Sequence, residues 1–281
     1  MDALRTLEEH RCFGGVQGFY EHASPAVGLP MRFGVYVPPQ AATAPCPVLF
    51  CLAGLTCNEQ TFAIKAGAQQ HAARHGLVLV TPDTSPRNTG IAEADEDWQF
   101  GTGAGFYLDA TSEPYARHWR METWLMDELP AVLLSNFPVR DDRVGILGHS
   151  MGGHGALTLA LRHPGRFRSV SAFAPICAPS EVPWGQNAFE GYLGEDASAW
   201  QEHDAVRLIA AGARAPMLLV DQGLDDQFLA TQLRPERLED ACAAAGQPLA
   251  LRRHAGYDHG YFFIATFVGE HLAHHAATLR A

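Results

Sequence analysis

The sequence predicts an α/β fold in which helices flank a mostly parallel central sheet, with an antiparallel hairpin near the N-terminus. Short apolar runs typical of buried strands alternate with longer helix-like segments along most of the chain, which is a doubly wound pattern. Near the start, residues 12–20 and 30–37 look like two strands joined by a turn rich in Pro and Gly. The 281 residues contain no Pro/Ser-rich linker, repeat or low-complexity tract, so we expect one domain over residues 1–281.

The first parallel unit is predicted between residues 48 and 81. Residues 48–53 form a short apolar run, residues 59–74 are typical of a helix, and residues 77–81 form the next apolar run. Two short apolar strands separated by a helix are characteristic of a parallel sheet. We therefore expect a βαβ unit at this point.

A long irregular segment, residues 82–115, follows this unit. Loops of this length inside compact domains are usually functional or disordered. Four aromatic side chains between residues 98 and 107 favour an ordered loop packed on the body of the protein. A long helix over residues 118–136, ending before Pro138, should come next.

The second half of the chain continues the alternation of strands and helices. Strands are predicted at residues 144–147, 168–174, 216–221 and 248–254. Helices should lie between them, the first over residues 153–161, and a last helix should cover about residues 260–279.

The charge balance limits the partners that this protein can have. A net charge of −11 argues against nucleic acids and anionic membranes, which both favour clusters of Lys and Arg. No apolar run approaches the ~18 residues of a membrane span. Residues 1–15 carry charges without an apolar core, unlike a secretory signal. We therefore expect a cytoplasmic protein.

Cysteine and histidine spacing gives no sign of a metal site. The six cysteines show neither a C-x-x-C motif nor a zinc spacing, so we expect free thiols that are mostly buried. Two histidine pairs, His71 with His75 and His271 with His275, are four residues apart and could each face one side of a helix. Because no third ligand accompanies either pair, we expect no metal.

The most informative motif is Gly148-His149-Ser150-Met151-Gly152, which lies between a predicted strand and a predicted helix. G-x-S-x-G in that position is typical of the nucleophile elbow of the α/β-hydrolase fold. The turn holds the serine in a strained conformation, and side chains at the two glycines would collide with their surroundings. The Met151 amide should then face a substrate oxyanion. Chance is the alternative explanation, but it does not supply the strand and the helix.

Partners for Ser150 are expected after late strands, in the chain order serine, acid, histidine. Asp225 or Asp226, beyond the turn at Gly223, could reach a histidine at the carboxyl edge of the sheet. His259 is the one histidine between the last strand and the last helix. The alternatives are two solvated turn carboxylates and a histidine beside a helix N-cap. The order and position of the three residues favour a Ser-His-Asp triad, in which the carboxylate holds the imidazole that deprotonates the serine.

Two further positions near the serine are singled out. The loop after the first parallel strand should supply the second oxyanion donor, and the Leu55 amide fits, although Gly54 could simply end the strand. Cys57 should lie near the nucleophile, either as a buried structural thiol or as one whose alkylation blocks the site. His149 and His154 flank the serine too closely to reach its hydroxyl, so we expect packing or hydrogen-bonding roles for them.

Beyond the elbow, several motifs spread over nearly the whole chain resemble the S-formylglutathione hydrolases of the esterase D family. They are LAGLTC at residues 52–57, PDTSPR at 82–87, DWQFGTGAGFY at 97–107, GHSMGGHGA at 148–156, SAFAPIC at 171–177, DQGLDDQF at 221–228 and GYDH at 256–259. The resemblance implies that Ser150 is the nucleophile, that Asp226 rather than Asp225 is the acid, and that His259 is the base. It also implies a cytosolic, cofactor-free and commonly dimeric enzyme that cleaves S-formylglutathione in formaldehyde removal.

The resemblance leaves the substrate pocket less defined than the reaction. Val182 stands where many members have Cys, and Gly260 follows the base where Ser is frequent. Both differences bear on the acyl-group preference and leave the triad intact. A formyl group needs a narrow pocket, which Trp184 or the aromatic loop should wall. Lys65, the one lysine of the chain, could attract a glutathione carboxylate or could lie on a solvated helix face.

Three alternatives to a thioesterase remain open at this point. A general carboxylesterase would prefer short oxygen esters, and an acyltransferase would pass the acyl group to an alcohol. An inactive hydrolase used as a binding module usually lacks a triad residue, whereas this sequence has all three.

Overall fold

The computed structural model describes residues 4–280, so the ends of the predicted domain and the first three residues of the N-terminal segment lie outside the described part. In residues 4–280, nine strands form one sheet in the order β1-β2-β3-β5-β4-β6-β7-β8-β9. The strands are β1 Arg5–Cys12, β2 Gly15–Ser24, β3 Leu29–Val37, β4 Cys46–Leu52, β5 Val78–Pro82, β6 Val139–His149, β7 Ser169–Phe173, β8 Leu218–Gly223 and β9 Leu249–His254.

The sheet is antiparallel over its first three strands and parallel over its remaining six. β3 joins the parallel part through an antiparallel pairing with β5. From β5 through β4 and β6 to β9, neighbouring strands all run in the same direction. The predicted fold class, a mostly parallel sheet with an antiparallel N-terminal hairpin, is confirmed.

The predicted hairpin exists, but its first strand was misplaced. It consists of β2 and β3, which pair from Val16 opposite Val37 to Ser24 opposite Leu29. β1 precedes them as an edge strand that the sequence did not reveal, because it is largely exposed and lacks an apolar alternation. The prediction over residues 12–20 therefore crossed the β1–β2 turn. There Phe13 and Gly14 both have positive φ, as a tight two-residue hairpin turn requires.

Along the chain, the α-helices follow the parallel strands, and the last one comes after β9. They are α1 Glu59–Lys65, α2 Gln69–His75, α3 Met121–Thr123, α4 Leu129–Asn136, α5 Met151–Arg162, α6 Pro183–Leu193, α7 Ala197–Trp200, α8 Ala205–Ala210, α9 Pro235–Ala245 and α10 Tyr261–Leu279. None of the helices within residues 4–280 is both long and apolar enough to cross a membrane.

Two predicted helices differ from the observed ones. The helix expected over residues 59–74 is two short helices, α1 and α2, separated at Gly67, which has a φ of +67°. The helix expected over residues 118–136 begins at Met121 and contains a π-helical turn, Trp124–Glu128. Only Leu129 separates that turn from Pro130, which has no N–H to continue the α-helical hydrogen bonds.

The long segment after β5 is ordered and packed on the body of the protein, as its aromatic side chains predicted. Phe106 and Tyr107 are fully buried. Phe100 packs against Tyr192 of α6, with ring centroids 4.5 Å apart. Trp98 is the exception, since about half of its surface (51%) is exposed. The segment therefore forms a cover over the carboxyl edge of the sheet, with one aromatic side chain facing solvent.

Candidate active site

The serine of the G-x-S-x-G motif sits on a strained turn between β6 and α5. Ser150 has φ 58° and ψ −119°, a conformation that residues with a Cβ rarely adopt. A Cβ at Gly148 would lie 1.9 Å from the Gly152 carbonyl oxygen, and a Cβ at Gly152 would lie 2.2 Å from that of Leu52. The predicted collisions at both glycines are thus confirmed, and only glycine fits on either side of this turn.

The structure brings Ser150, His259 and Asp226 together. Ser150 Oγ lies 2.9 Å from His259 Nε2, and His259 Nδ1 lies 2.6 Å from Asp226 Oδ2. With Nδ1 protonated, the ring donates to the carboxylate and Nε2 accepts from the hydroxyl. This is the geometry in which an imidazole can take the proton of a serine.

Asp226, and not Asp225, is the carboxylate that contacts the imidazole. The Asp226 side chain is fully buried, and its Oδ1 accepts a hydrogen bond of 2.8 Å from the Phe228 backbone amide. The Gln222 side chain donates to Oδ2 at 3.3 Å. Asp225 is exposed and accepts from the Gly256 amide at 3.4 Å. The choice that the spacing left open is therefore decided by the turn after β8, which points the second carboxylate inward.

His149 and His154 have the packing and hydrogen-bonding roles expected of them. His149 Nε2 donates to the His259 backbone carbonyl at 3.0 Å. Burial and the neighbouring His259 hold the pKa of His149 well below its usual range, so it is a neutral donor that fixes the loop of His259. His154 lies between Phe106 and Phe189, and burial lowers its pKa to about 4.

The two amides expected to face an oxyanion lie next to the serine. Gly54 packs against Ser150, because a Cβ there would lie 3.1 Å from Ser150 Cβ, and Leu55 is the next residue. Met151 is the first residue of α5, where backbone amides have no intrahelical acceptor. Within residues 4–280 neither amide donates a hydrogen bond. Both are available to a substrate oxygen.

Aromatic side chains continue from the histidine to the protein surface. Phe228 packs edge-on against His259 with centroids 5.1 Å apart, and Trp184 lies 4.6 Å from Phe228. Trp98 lies 5.7 Å from Trp184 and forms the outer end. We call Phe228, Trp184 and Trp98 the aromatic wall. It joins Trp184 and the aromatic loop, which the sequence had proposed as separate candidates.

Cys57, Tyr261 and Lys65 form a second group near the serine. The Cys57 thiol lies beside the hydroxyls of Thr61 and Tyr261, and burial raises its pKa. The Tyr261 ring lies 5.7 Å from that of His149. The exposed Lys65 places its Nζ 5.7 Å from the Tyr261 centroid. A neutral thiol and a phenol therefore lie together beside His149, the neighbour of Ser150 in the chain, and an exposed cation lies over the phenol ring.

The histidine pairs considered as metal ligands have other neighbours. His271 Nε2 lies 3.3 Å from Asp221 Oδ2, and both ring nitrogens of His275 contact serine hydroxyls. The His71 ring packs so closely on α10 that a Cβ at Gly269 would lie 2.5 Å from it. Among the described residues, no three His, Cys, Asp or Glu side chains are arranged to hold a metal ion.

Two residues near the site had no role assigned from the sequence. Asp83 is buried directly after β5, and Arg87 binds its carboxylate through Nε and Nη2. Burial raises the pKa of the Asp83 carboxyl, and the guanidinium opposes that shift. The available signal was an Asp and an Arg four residues apart, each directly after a proline, at the end of a buried strand.

Together, the fold and this site define an esterase built on the α/β-hydrolase fold. The family model named Esterase, described as "Putative esterase", matches residues 24–274. The fluorophosphonate-binding serine hydrolase F of Staphylococcus aureus shares the fold, with a TM-score of 0.73 and 19% identity over 93% of this chain and 98% of that one.

The comparisons also identify the family within this class. An S-formylglutathione hydrolase of Mus musculus is 50% identical over 99% of this chain and 100% of its own length. One of Bos taurus is 48% identical over the same shares. The solved S-formylglutathione hydrolase of Agrobacterium tumefaciens has a TM-score of 0.95 and 47% identity over 98% of this chain and 99% of that one. The chain belongs to the S-formylglutathione hydrolase family.

Proposed function

We propose that this protein hydrolyses the thioester S-formylglutathione to glutathione and formate through a Ser-His-Asp acyl-enzyme mechanism. The observation that carries the proposal is the contact of His259 with both Ser150 and Asp226, at 2.9 and 2.6 Å. The substrate follows from the relatives that carry that name, which are about half identical over the full length of the chain.

The first step transfers the formyl group to the serine. His259 Nε2 takes the proton of Ser150 Oγ as the oxygen attacks the formyl carbon, and Asp226 stabilises the imidazolium that forms. The oxygen of the tetrahedral intermediate accepts hydrogen bonds from the Leu55 and Met151 amides. The C–S bond then breaks. A thiol has a pKa of about 8.5, so the sulfur leaves as a thiolate with little need for protonation. The His259 imidazolium then gives its proton to that sulfur, which yields free glutathione and returns His259 to its neutral form.

The second step releases formate by the same groups. His259 takes a proton from a water molecule, whose oxygen attacks the formyl carbon of the acyl-enzyme. After the C–O bond to Ser150 breaks, the imidazolium returns the proton to the serine oxygen. Because the thiol is a good leaving group, we expect this hydrolysis to limit the rate more than the acylation does.

The residues around the serine support a small acyl group and an anionic leaving group. Trp184 and Phe228 close one side next to His259, which suits a formyl group better than a long chain. Cys57 belongs to the pocket on the Tyr261 side as a neutral thiol. Glutathione carries two carboxylates, and Lys65 is the one lysine of a chain with net charge −11. We assign one of those carboxylates to Lys65.

A comparison of acyl donors tests the proposed substrate. kcat/KM should be highest for S-formylglutathione, lower for S-acetylglutathione and S-lactoylglutathione, and lower again for p-nitrophenyl acetate. A wide preference for the oxygen ester would make the protein a general carboxylesterase. Product analysis with an added alcohol checks for acyl transfer. Labelling by a fluorophosphonate that is absent in Ser150→Ala excludes an inactive binding module.

The same proposal covers assembly and location. We expect a homodimer in the cytoplasm that works without a cofactor, as the family resemblance implies. The six cysteines are free thiols, four of them buried, which agrees with a reducing compartment. Light scattering after size exclusion should give twice the chain mass of 30.5 kDa. A monomer at micromolar concentration would contradict the dimer.

A further inference from the structure

The turn that carries the Leu55 amide is strained and needs to be held. Cys57 N–H donates to the Gly54 carbonyl at 3.3 Å, which closes a β-turn over residues 54–57. Thr56, its third residue, has a φ of +67°. A positive φ at this position is normally left to Gly or Asn, and for a β-branched residue it is unfavourable. Contacts outside the turn must therefore keep Thr56, and with it the preceding amide, in place.

The segment after β5 supplies those contacts. Thr56 N–H donates to the Gly103 carbonyl at 2.9 Å. The Cys57 carbonyl accepts two hydrogen bonds, from Thr84 Oγ1 at 2.5 Å and from Arg87 Nη2 at 2.7 Å. The peptide group before Thr56 and the peptide group after Cys57 are thus both fixed from outside the turn. Three groups outside the turn make these bonds: the Gly103 carbonyl, the Thr84 hydroxyl and the Arg87 guanidinium. The guanidinium is the charged one among them, and hydrogen bonds from charged groups are stronger than neutral ones.

The guanidinium is itself fixed by a buried carboxylate. Arg87 donates to Asp83 through Nε at 3.1 Å and through Nη2 at 2.7 Å. The Asp83 side chain is 3% exposed and that of Arg87 is 32% exposed. The sheet explains this placement, because β4 and β5 are parallel neighbours. β4 leads into the turn at Gly54 and β5 into Asp83, so the two loops meet at one edge.

We propose that Asp83 and Arg87 are positioning residues for the oxyanion turn. The carboxylate orients the guanidinium, the guanidinium holds the Cys57 carbonyl, and the turn then directs the Leu55 N–H at the substrate oxygen. The inference rests on the proposed function in one respect, namely that Leu55 is an oxyanion donor. A buried ion pair is weak support for stability alone, which agrees with a role in holding geometry.

A chemical test follows from the turn itself. Proline is favoured at the second position of such turns. Leu55→Pro therefore removes the N–H donor while the new residue still fits the turn. Loss of one oxyanion donor lowers kcat on the order of 100-fold to 1000-fold. Arg87→Met displaces the same donor and should lower kcat roughly 10-fold to 100-fold. KM should stay within about threefold in both, because the missing bond forms in the transition state.

The double variant distinguishes positioning from general support of the fold. If Arg87 acts through the Leu55 amide, Arg87→Met in the Leu55→Pro background should lower kcat no further than about twofold. Arg87→Lys keeps the charge but loses the two-pronged geometry, and should lie between wild type and Arg87→Met. Fully multiplicative losses in the double variant would overturn the proposal, and so would an unchanged kcat in Arg87→Met.

A second ion pair provides the matched control. Arg252 binds Asp221 through Nε at 2.5 Å and Nη2 at 2.7 Å, with side-chain exposures of 34% and 0%. Its geometry and burial match those of the first pair, and its carboxylate lies on β8 rather than beside the oxyanion turn. Arg252→Met should lower Tm about as much as Arg87→Met while changing kcat less than threefold. Equal losses of kcat in the two variants would reduce Arg87 to a structural role.

The choice of substrate keeps this test separate from that of the proposed function. All kcat and KM values are measured with S-formylglutathione and with p-nitrophenyl acetate. If the wild type hydrolyses the oxygen ester alone, the proposed thioester substrate is wrong while the Arg87 test proceeds with the ester. If Leu55→Pro retains full kcat on both substrates, the donor assignment fails, and the Arg87 proposal fails with it.

Discussion

Two regions of this molecule bring serine hydroxyls against a histidine ring, and only one of them has the geometry of an active site. At the elbow, Ser150 Oγ lies 2.9 Å from His259 Nε2. Inside the protein, Ser169 and Ser171 of β7 lie 2.6 and 2.8 Å from the two ring nitrogens of His275 on α10. A hydrogen bond between serine and histidine is therefore not enough to identify a nucleophile.

The first difference lies on the far side of the ring. His259 donates a hydrogen bond through Nδ1 to the Asp226 carboxylate. A carboxylate at this place can stabilise the ring once the ring has taken a proton. Both nitrogens of His275 contact neutral hydroxyls, and burial beside His274 and His271 holds its pKa well below the usual range. A base that cannot carry a charge cannot activate a serine.

The second difference concerns the backbone and access. Ser150 lies on a turn with positive φ, next to the two amides that we propose as oxyanion donors, and the side chain of His259 is 17% exposed. Ser169 and Ser171 belong to a regular strand and, like His275, are buried. A strained turn, a carboxylate and an opening to solvent distinguish Ser150 and His259, the proposed reactive pair, whereas the contacts of His275 with Ser169 and Ser171 tie α10 to the sheet.

Removal of each serine in turn should separate the two regions most clearly. Ser150→Ala should lower kcat by about 10⁵-fold to 10⁶-fold, the size of effect seen when a triad nucleophile is lost. Ser171→Ala should change kcat less than threefold, because that hydroxyl contacts no reacting atom. Steady-state kinetics and fluorophosphonate labelling measure both variants. A large loss of kcat in folded Ser171→Ala would show that the two regions are coupled.

The next largest effect concerns the carboxylate. Asp226→Asn keeps the shape of the side chain but cannot stabilise the imidazolium and favours the wrong tautomer, so kcat should fall about 10⁴-fold. Asp225→Asn is the matched control one residue away, and its kcat should stay within about threefold of wild type. Similar losses in both variants would mean that the loop, and not the ion pair with His259, matters for catalysis.

The sequence could predict those parts of the site that depend on local sterics. G-x-S-x-G between a strand and a helix identifies its turn, since glycine is forced at both flanking positions. The spacing could not choose between Asp225 and Asp226, because the choice depends on which carboxylate the Phe228 amide captures after β8. Family resemblance selected Asp226, the residue that the structure places against His259.

Long-range neighbours explain most of what the sequence could not predict. The contact of Arg87 with the Cys57 carbonyl joins residues thirty positions apart and requires β4 and β5 to be adjacent. The same holds for the aromatic wall, which combines three separate segments. In the fold, β1 was missed because an exposed, charged edge strand lacks the apolar alternation that marks strands.

A pH experiment sharpens the contrast between the two histidines. The folded state keeps His275 neutral, whereas the unfolded chain binds a proton below a pH of about 6.5. The free energy of unfolding should therefore fall as the pH drops below 6.5, with this residue contributing up to about 1.4 kcal/mol per pH unit. The free energy of unfolding of His275→Gln, measured with urea between pH 6.5 and 5, should fall less steeply with decreasing pH than that of the wild type.

The control for that experiment keeps the ring and removes a hydroxyl. Ser171→Ala should be less stable at every pH, since a buried ring nitrogen loses its partner. The pH dependence of its free energy of unfolding should equal that of the wild type. If His275→Gln has the wild-type slope, His275 does not contribute to the acid sensitivity of the fold.

Ser150 and His259 are open to solvent, unlike His275 and its two serines, and Lys65 allows a test of how substrate approaches them. If Lys65 holds a glutathione carboxylate, Lys65→Met should raise KM for S-formylglutathione roughly twofold to fivefold, as expected for an exposed ion pair worth up to about 1 kcal/mol. KM for p-nitrophenyl acetate, which has no carboxylate, should not change.

Lys65→Arg should behave like wild type. Because the chain has no other lysine side chain, acetylation should reproduce Lys65→Met and have little effect on Lys65→Arg. An equal rise in KM for both substrates would mean that Lys65 shapes the entrance without binding the carboxylate. If KM rises for S-formylglutathione alone, substrates in which one or the other glutathione carboxylate is converted to an amide identify the carboxylate that binds.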